Sequence, residues 1–342
     1  MELPKYSGTI HPEWLKQVKI FCYVKQITNE EEILKICKLM IDSAITISNE
    51  INSFDELIKA LKTHISFDIF IDSCKRKLQA MKYIPEKNEN YIVTFLVKFC
   101  SLCNYAEINN PEEIKILLVN SYSNDFFKAE FMKRIDNINS KGQTLDINGI
   151  VKLFNNVVLD ELKIIKYDSL IALKHVTSGR YLSRGDINYQ TGSQRKVVFA
   201  GEKFYNSSSI WYLTKVKSDH LNKQNMVFYN DKFYLKHKES NELFGISGKY
   251  KSPKSGQSEA FCNSEIYVNS ACEFVNLNNN NALYVKSKDI VNLKEKQIYG
   301  NKYLFLRSHN ITFTINDENF QEIIGHSDRI GGNDEWCIEL VD

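Results

Sequence analysis

The sequence predicts two domains of different fold class, an all-α half at residues 1–165 followed by an all-β half at residues 166–342. In the first half apolar residues recur every three or four positions, which is the period of an amphipathic helix. In the second half short alternating runs rich in Val, Ile, Tyr and Phe are broken by Asn, Gly and Ser, as strands and turns require. A chain of 342 residues with 43% hydrophobic residues has room for two such domains, each with its own core.

The α half is predicted to contain eight helices. Its clearest apolar face consists of Tyr91, Phe95, Phe99, Leu102 and Cys103, which recur at the spacing of one helical face. The predicted helices lie near residues 11–26, 30–47, 54–64, 67–82, 89–104, 111–120, 124–136 and 145–165.

Three of these helices have well-marked starts. Asn29 precedes three glutamates, and Ser53 has Glu56 three residues further on, which is the spacing of a capping box. Asn110 precedes Pro111, a residue whose fixed backbone angle suits the first position of a helix. We therefore expect side-chain caps at Asn29, Ser53 and Asn110.

Three short motifs follow one another within residues 5–137. They are Tyr6-Ser7-Gly8 with Glu13-Trp14-Leu15, then Phe54-Asp55-Glu56-Leu57, then Lys77-Leu78 with Tyr91, Phe95, Phe99 and Leu102. In this order they resemble the capsid region of Gag from gypsy-type retrotransposons and its domesticated relatives such as Arc. The resemblance implies a capsid-like helical domain that self-associates; an unrelated helical bundle is the alternative.

A full Gag protein would continue into a zinc knuckle, and this chain does not. Cys100 and Cys103 form a Cys-x-x-Cys pair, but no second pair of His or Cys follows at the spacing that zinc requires. Both cysteines are expected to pack in the helical core. No metal site is predicted, and packaging of nucleic acid is not expected.

In the β half, residues 170–211 carry the most specific pattern. It consists of Leu173-Lys174-His175, the run TSGRYL at residues 177–182, Tyr189, Gly192-Ser193-Gln194 and a closing Trp211. These motifs resemble the MIR domain, the β-trefoil module named from protein mannosyltransferases, inositol-trisphosphate receptors and ryanodine receptors. The resemblance implies a β-trefoil that binds a ligand and does not catalyse a reaction.

A trefoil contains three copies of one unit, and the sequence repeats weakly in this way. Trp211, Phe274 and Trp336 are 63 and 62 positions apart, and each begins a short apolar strand. Leu235-Lys236-His237 echoes the motif at residues 173–175, and a third copy is expected at residues 305–309. The predicted repeats span about residues 167–216, 226–278 and 281–342.

Composition limits the partners that we expect. With a net charge of +2, the chain lacks the strong excess of basic residues that is typical of nucleic-acid-binding proteins. The sequence contains no segment resembling a signal peptide or a membrane span, which predicts a cytoplasmic protein without a membrane partner. In that compartment the eight cysteines are expected to be buried thiols.

Polar and aromatic residues of the first repeat are the candidate ligand-binding group. Arg offers planar donors, Tyr a stacking face, and Gln a paired donor and acceptor, which is what a glycan or peptide ligand requires. The alternative is a solvated loop with both tyrosines packed on the barrel and His175 bonded to a backbone carbonyl. The candidate residues are Lys174, His175, Arg180, Tyr181, Arg184, Tyr189 and Gln194.

No pattern in the sequence indicates catalysis. Ser193, Asp186 and His175 could be written as a triad, but the chain has no nucleophile elbow and no glycines for an oxyanion hole. No glycine-rich phosphate loop or other cofactor motif is present, so no cofactor is expected. The sequence therefore predicts a non-enzymatic adaptor that binds a glycan or protein ligand and self-assembles through its helical half. A retroelement capsid protein with a fused trefoil is the alternative, and an enzyme associated with glycosyl transfer is the third hypothesis.

Overall fold

The computed structural model describes residues 3–8, 11–48, 50–85, 90–216, 225–264, 271–276, 283–297 and 302–341. These residues belong to two compact units, Met1–Glu161 and Leu162–Asp342. Over the described ranges the first unit (the α unit) contains eight α-helices, and the second (the β unit) contains twelve antiparallel strands. The prediction of an α-helical half followed by an all-β half is confirmed.

The helices lie close to their predicted positions, and the three predicted caps are present. The side chain of Asn29 accepts from the N–H groups of Glu31 and Glu32, that of Ser53 from Glu56, and that of Asn110 from Glu112. The helices are α1 His11–Val24, α2 Glu30–Leu39, α3 Phe54–Thr63, α4 Ile65–Ala80, α5 Asn90–Tyr105, α6 Pro111–Ser121, α7 Asp125–Asn139 and α8 Ile147–Leu162.

The second helix ends at Leu39, and its predicted extension to residue 47 is wrong. The N–H of Tyr6 donates to Met40 O at 2.8 Å, and the N–H of Asp42 donates to Tyr6 O at 2.9 Å. These bonds form a short parallel bridge between Tyr6 and Ile41. The bridge joins residues 35 positions apart in the sequence and competes with continuation of the helix. The apolar periodicity of a local segment carries no information about such a contact.

The described residues of the α unit form two apolar clusters. Trp14, Val18 and Leu57 belong to the cluster under α1 to α3, whereas Phe99 and Phe154 belong to the larger cluster of α4 to α8. Of the predicted face on α5, Phe95, Phe99, Leu102 and Cys103 are buried and Tyr91 is half-buried. Cys100 is exposed, so its predicted core packing is wrong; it lies on the outward side of the helix. Among the described residues, no group of His, Cys, Asp and Glu is arranged to hold a metal ion.

The strands of the β unit form three successive groups of four. The first is β1 Leu170–His175, β2 Leu182–Asn188, β3 Lys196–Ala200 and β4 Trp211–Lys215. The second is β5 Lys232–His237, β6 Leu243–Lys251, β7 Ser258–Asn263 and β8 Cys272–Val275. The third is β9 Ile290–Lys296, β10 Tyr303–Ile315, β11 Glu318–His326 and β12 Trp336–Leu340.

Strand pairing closes this unit into a ring. β1 pairs with β4, β4 with β5, β5 with β8, β8 with β9, β9 with β12, and β12 with β1. The remaining six strands form three hairpins, and β3, β7 and β11 each pair with the other two. Because the ring is closed, none of its six described strands is an edge strand, and closure is one way in which all-β folds avoid edge-to-edge aggregation.

The register corrects the predicted repeat. Trp211 pairs with His237, Trp336 pairs with His175, and the corresponding pair in β8 and β9 is Cys272 with Glu295. Cys272, two residues before Phe274, therefore occupies the position of the two tryptophans. Both residues face inward because side chains alternate along a strand, so spacing alone could not distinguish them.

The third copy of the Leu-Lys-His motif is likewise not at residues 305–309, which lie in β10. It is Leu293-Lys294-Glu295 in β9, where Glu295 replaces the histidine. Trp336 Nε1 donates to Leu306 O at 3.1 Å, just as Trp211 Nε1 donates to Leu182 O at 2.9 Å. Leu306 is therefore the counterpart of Leu182, at the start of the hairpin.

The chain joins the β unit directly after α8. Ile165 N–H donates to Val285 O at 2.9 Å, and Ile165 and Tyr167 are buried in the main β cluster. Residues 164–167 therefore belong to the β unit, and Ile165 and Tyr167 contribute to its core. Within the described ranges, no helix combines the length and the apolarity that crossing a membrane requires.

Candidate ligand-binding site

The outer face of the β1–β12 pair carries polar side chains. Ile171 and Leu173 point into the main β cluster, so their neighbours Ala172 and Lys174 face outward. Across the pair, Ala172 faces Glu339 and Lys174 faces Cys337. Two strands distant in sequence, from the first and third groups, therefore share one outer surface.

Tyr181 contacts side chains of both strands, Lys174 of β1 and Glu339 of β12. It forms a backbone bridge with Lys174, its hydroxyl donates to Glu339 Oε2 at 2.7 Å, and Lys174 Nζ lies 5.6 Å from the centre of its ring. Lys288 Nζ donates to the other oxygen of Glu339, Oε1, at 2.8 Å. The carboxylate is thus held from both sides.

An exposed aromatic side chain completes this surface. The Tyr205 ring packs edge-on against Tyr181 with centroids 5.9 Å apart, and Tyr205 is 47% exposed. Its neighbour Phe204 is 65% exposed. We call Lys174, Tyr181, Tyr205, Lys288 and Glu339 the β1–β12 patch.

The electrostatics of the patch keep its central carboxylate charged. Burial acts to raise the pKa of Glu339, but hydrogen bonds from Lys288 and Tyr181 outweigh burial and lower it. The same hydrogen bond raises the pKa of Lys288, and burial together with Glu339 raises the pKa of Tyr181. Near neutral pH the patch therefore presents a fixed carboxylate, two ammonium groups and an open tyrosine ring.

His175, a predicted site residue, lies inside the fold. It is 1% exposed, its Nδ1 accepts from the N–H of Ser178, and its Nε2 is 3.1 Å from Asn333 O. Burial lowers its pKa, which favours the neutral imidazole. His237 has the same arrangement with Ser240 in the second group, so the position recurs as part of the barrel.

The two predicted arginines are held by other parts of the β unit. Arg180 Nη1 donates to Gly201 O at 2.8 Å. Arg184 Nε donates to Glu242 at 2.7 Å, and the same guanidinium pairs with Asp186. Arg184 therefore connects the first group of strands to the second.

Tyr189 and Gln194 lie apart from the patch. Tyr189 is 2% exposed, its hydroxyl donates to Ala260 O at 3.1 Å, and its ring stacks on Phe313 in a small second cluster. Gln194 is exposed and has a left-handed backbone, with φ of 59°. Of the seven predicted residues, the structure brings Lys174 and Tyr181 together at the patch.

The three residues that could be written as a triad are not joined. Ser193 Oγ donates to Glu259, Asp186 pairs with Arg184, and His175 bonds to Ser178 and Asn333. Glu259 thus fastens the Gly192–Gln194 loop from the neighbouring repeat. In the same way Glu322 fastens the loop at residues 252–256.

Three patch residues were not predicted from the sequence: Tyr205, Lys288 and Glu339. They belong to three separate segments that only strand pairing brings together. For Tyr205 the sequence did offer an indication of surface function. Phe204 and Tyr205 are two adjacent large aromatic residues in an otherwise polar connection between β3 and β4.

Comparison with known proteins gives structural similarities only. No protein-family model matches the sequence, and no curated protein matches it. An SDF2-like protein from Arabidopsis thaliana matches with a TM-score of 0.45 and 21% identity over 51% of this chain and 94% of its own. A Caenorhabditis elegans protein of unknown function matches with a TM-score of 0.44 and 18% identity, over 52% and 97% of the two chains. The Saccharomyces cerevisiae protein O-mannosyltransferase Pmt1-Pmt2 complex bound to the sugar donor matches with a TM-score of 0.43 and 17% identity, over 85% and 41%.

Proposed function

We propose that the β unit is a MIR-type β-trefoil and that the chain is a non-enzymatic binding protein. The order of motifs in the first repeat and the closed ring of six strands with three hairpins support the trefoil. The observation that carries the binding role is the open Tyr205 ring, which packs on Tyr181, while the Tyr181 hydroxyl holds the Glu339 carboxylate.

The patch has the chemistry of a glycan-binding surface. A tyrosine ring offers an apolar face on which the C–H side of a sugar stacks, and a carboxylate and ammonium groups bond to its hydroxyls. Because Lys288 and Tyr181 already orient Glu339, little side-chain freedom is lost on binding. A glycan is the ligand class we favour; a protein segment presenting hydroxyl and amide groups is the second.

Tyr205→Ala is expected to weaken ligand binding roughly tenfold, as loss of a stacking contact worth about 1–1.5 kcal/mol would do. A glycan array with the full-length protein identifies the ligand, and calorimetric titration measures its dissociation constant. Tyr23→Ala, which removes a ring that is 80% exposed in the α unit, is the matched control and should leave binding unchanged. Equal binding by wild type and Tyr205→Ala would contradict the proposed site, and so would a wild-type protein that binds no glycan and no protein.

We further propose that the α unit is capsid-like and self-associates. Its motif order supports this, and so does the outward face of α5, where Val93 is 58% and Val97 is 62% exposed beside the exposed Cys100. These positions lie on one helical stripe. Self-association of a weak binder raises its avidity by roughly 10²–10⁴.

Sedimentation velocity of the full chain tests this assembly. We expect wild type to form oligomers as concentration rises, and Val97→Glu to shift the distribution towards monomer by placing a charge in the contact. Leu39→Glu, which changes a residue that is 82% exposed away from α5, should behave as wild type. A wild-type chain that stays monomeric at high concentration would refute self-association.

The capsid-like motif order also supports a second candidate function, a retroelement-derived structural protein that carries the β unit as a fused passenger. The two functions differ in the assembly they require. A structural capsid forms particles or lattices visible by electron microscopy under assembling salt conditions, whereas an adaptor forms small oligomers. Ordered particles that persist in a Tyr205→Ala variant would favour the capsid function.

A further inference from the structure

A groove in the α unit lies between α4 and α5, on a different side of α5 from its outward valines. Its volume is about 540 Å³, within the range of ligand-binding clefts. Met81, Tyr91 and Phe95 are among the residues of its apolar floor. Phe95 belongs to the larger helical cluster, and Tyr91 and Met81 pack against that cluster.

Among the described residues, the charged side chains that line the groove are all basic. Lys77 on α4, Lys82 just after it and Lys98 on α5 lie around the apolar floor, and no described carboxylate lines it. Each of these lysines is exposed, and Lys82 Nζ donates to Asn120 O at 2.8 Å. An apolar floor with a lysine rim is complementary to an apolar stripe flanked by carboxylates.

The length of the groove indicates what fits. The lining residues of α5 extend from Tyr91 to Leu102, which at 1.5 Å per residue is about 16 Å, or three turns of helix. We propose that this groove binds a short acidic amphipathic helix from a partner protein. The helix places its apolar stripe on Met81, Tyr91 and Phe95 and its Glu or Asp side chains against the three lysines.

A designed peptide tests the proposal with the full-length protein. The probe is a fluorescent peptide of about 14 residues with Leu at helical i, i+3/i+4 and i+7 spacing and Glu on both flanks. We expect saturable binding by fluorescence anisotropy that weakens as salt rises. The Lys77→Glu/Lys98→Glu double variant should bind this probe roughly tenfold more weakly, because each reversal replaces an attraction with a repulsion.

Lys75→Glu is the matched control, since Lys75 is exposed on α4 but does not line the groove. It should bind as wild type, and a probe with Lys in place of Glu should not bind. Three results would overturn the proposal: no binding of the acidic probe, an equal loss in Lys75→Glu, or equal binding of the lysine probe. If single-stranded DNA or heparin competes fully while a poly-Glu peptide without leucines binds equally well, the surface recognises polyanions and the helical-peptide proposal is wrong.

Discussion

Trp211→Ala and Trp336→Ala are each expected to lower the free energy of unfolding of the β unit by about 3–5 kcal/mol. Both rings are 0% exposed in the main β cluster, and each indole N–H donates to a backbone carbonyl. Truncation leaves a large cavity and also removes the indole hydrogen bond to the carbonyl of Leu182 or Leu306. These two losses make the tryptophans the largest single contributions that we expect in this unit.

Urea unfolding followed by tryptophan fluorescence measures the effect. The chain has three tryptophans, so a Trp14→Phe background confines the signal to the β unit. Phe204→Ala, which removes an exposed ring, should cost less than ~0.5 kcal/mol. A loss below ~1 kcal/mol in both tryptophan variants would mean that these rings do not close the barrel core.

Glu322 is expected to make the β unit sensitive to acid. Burial raises its pKa, but hydrogen bonds from His309, Ser252 and Ser255 outweigh burial and lower the pKa from 4.5 to about 2. A carboxylate with a lowered pKa contributes stability above its ordinary pKa and loses it as pH falls through the folded value. The contribution, on the order of 3 kcal/mol, should therefore disappear between about pH 4.5 and pH 2.

Glu322→Gln tests this assignment in the same Trp14→Phe background. The variant should be less stable than wild type near neutral pH by on the order of 3 kcal/mol, and the two stability curves should converge towards pH 2. Glu318→Gln, an exposed substitution on the same strand, should follow wild type throughout. Parallel curves for Glu322→Gln and wild type would show that Glu322 is not the source of the acid response.

Features that depend on near neighbours were predictable from the sequence. The caps at Asn29, Ser53 and Asn110 each involve an N–H group within three residues, so composition and spacing suffice. The early end of α2 was not predictable in this way, because it depends on Tyr6 crossing to Ile41. Exposed Cys100 shows the same limit, since a helical stripe does not reveal how wide its buried face is.

The repeat of the β unit was predictable from residue spacing only in part. Three groups of strands follow from the spaced aromatic residues and the recurring Leu-Lys-His motif. Cys272 and Phe274 are two residues apart on one strand, so both side chains face the core. Their pairing, Cys272 with Glu295 and Phe274 with Leu293, is what identifies Cys272 as the counterpart of the two tryptophans. Glu295 could not be identified from spacing as the counterpart of His175 and His237, because strand pairing defines that position too.

The candidate site was the least predictable part. Lys174 and Tyr181 are seven residues apart and were identified together, whereas Tyr205, Lys288 and Glu339 reach them only through the closed ring. Tyr189 has the same residue type as Tyr181 but lies in a separate buried cluster. Residue types indicate what chemistry a site could perform. Which residues form the site depends on long-range strand pairing.

The most direct test of the binding role is to map the ligand on the protein. Amide chemical shifts of the isotope-labelled full chain are followed while the glycan or protein segment identified by array is titrated in. We expect the largest saturable shifts around the patch residues and their loss in Tyr205→Ala; the patch residues are Lys174, Tyr181, Tyr205, Lys288 and Glu339. Saturable shifts confined to another surface of the β unit, or to the α unit, would contradict it.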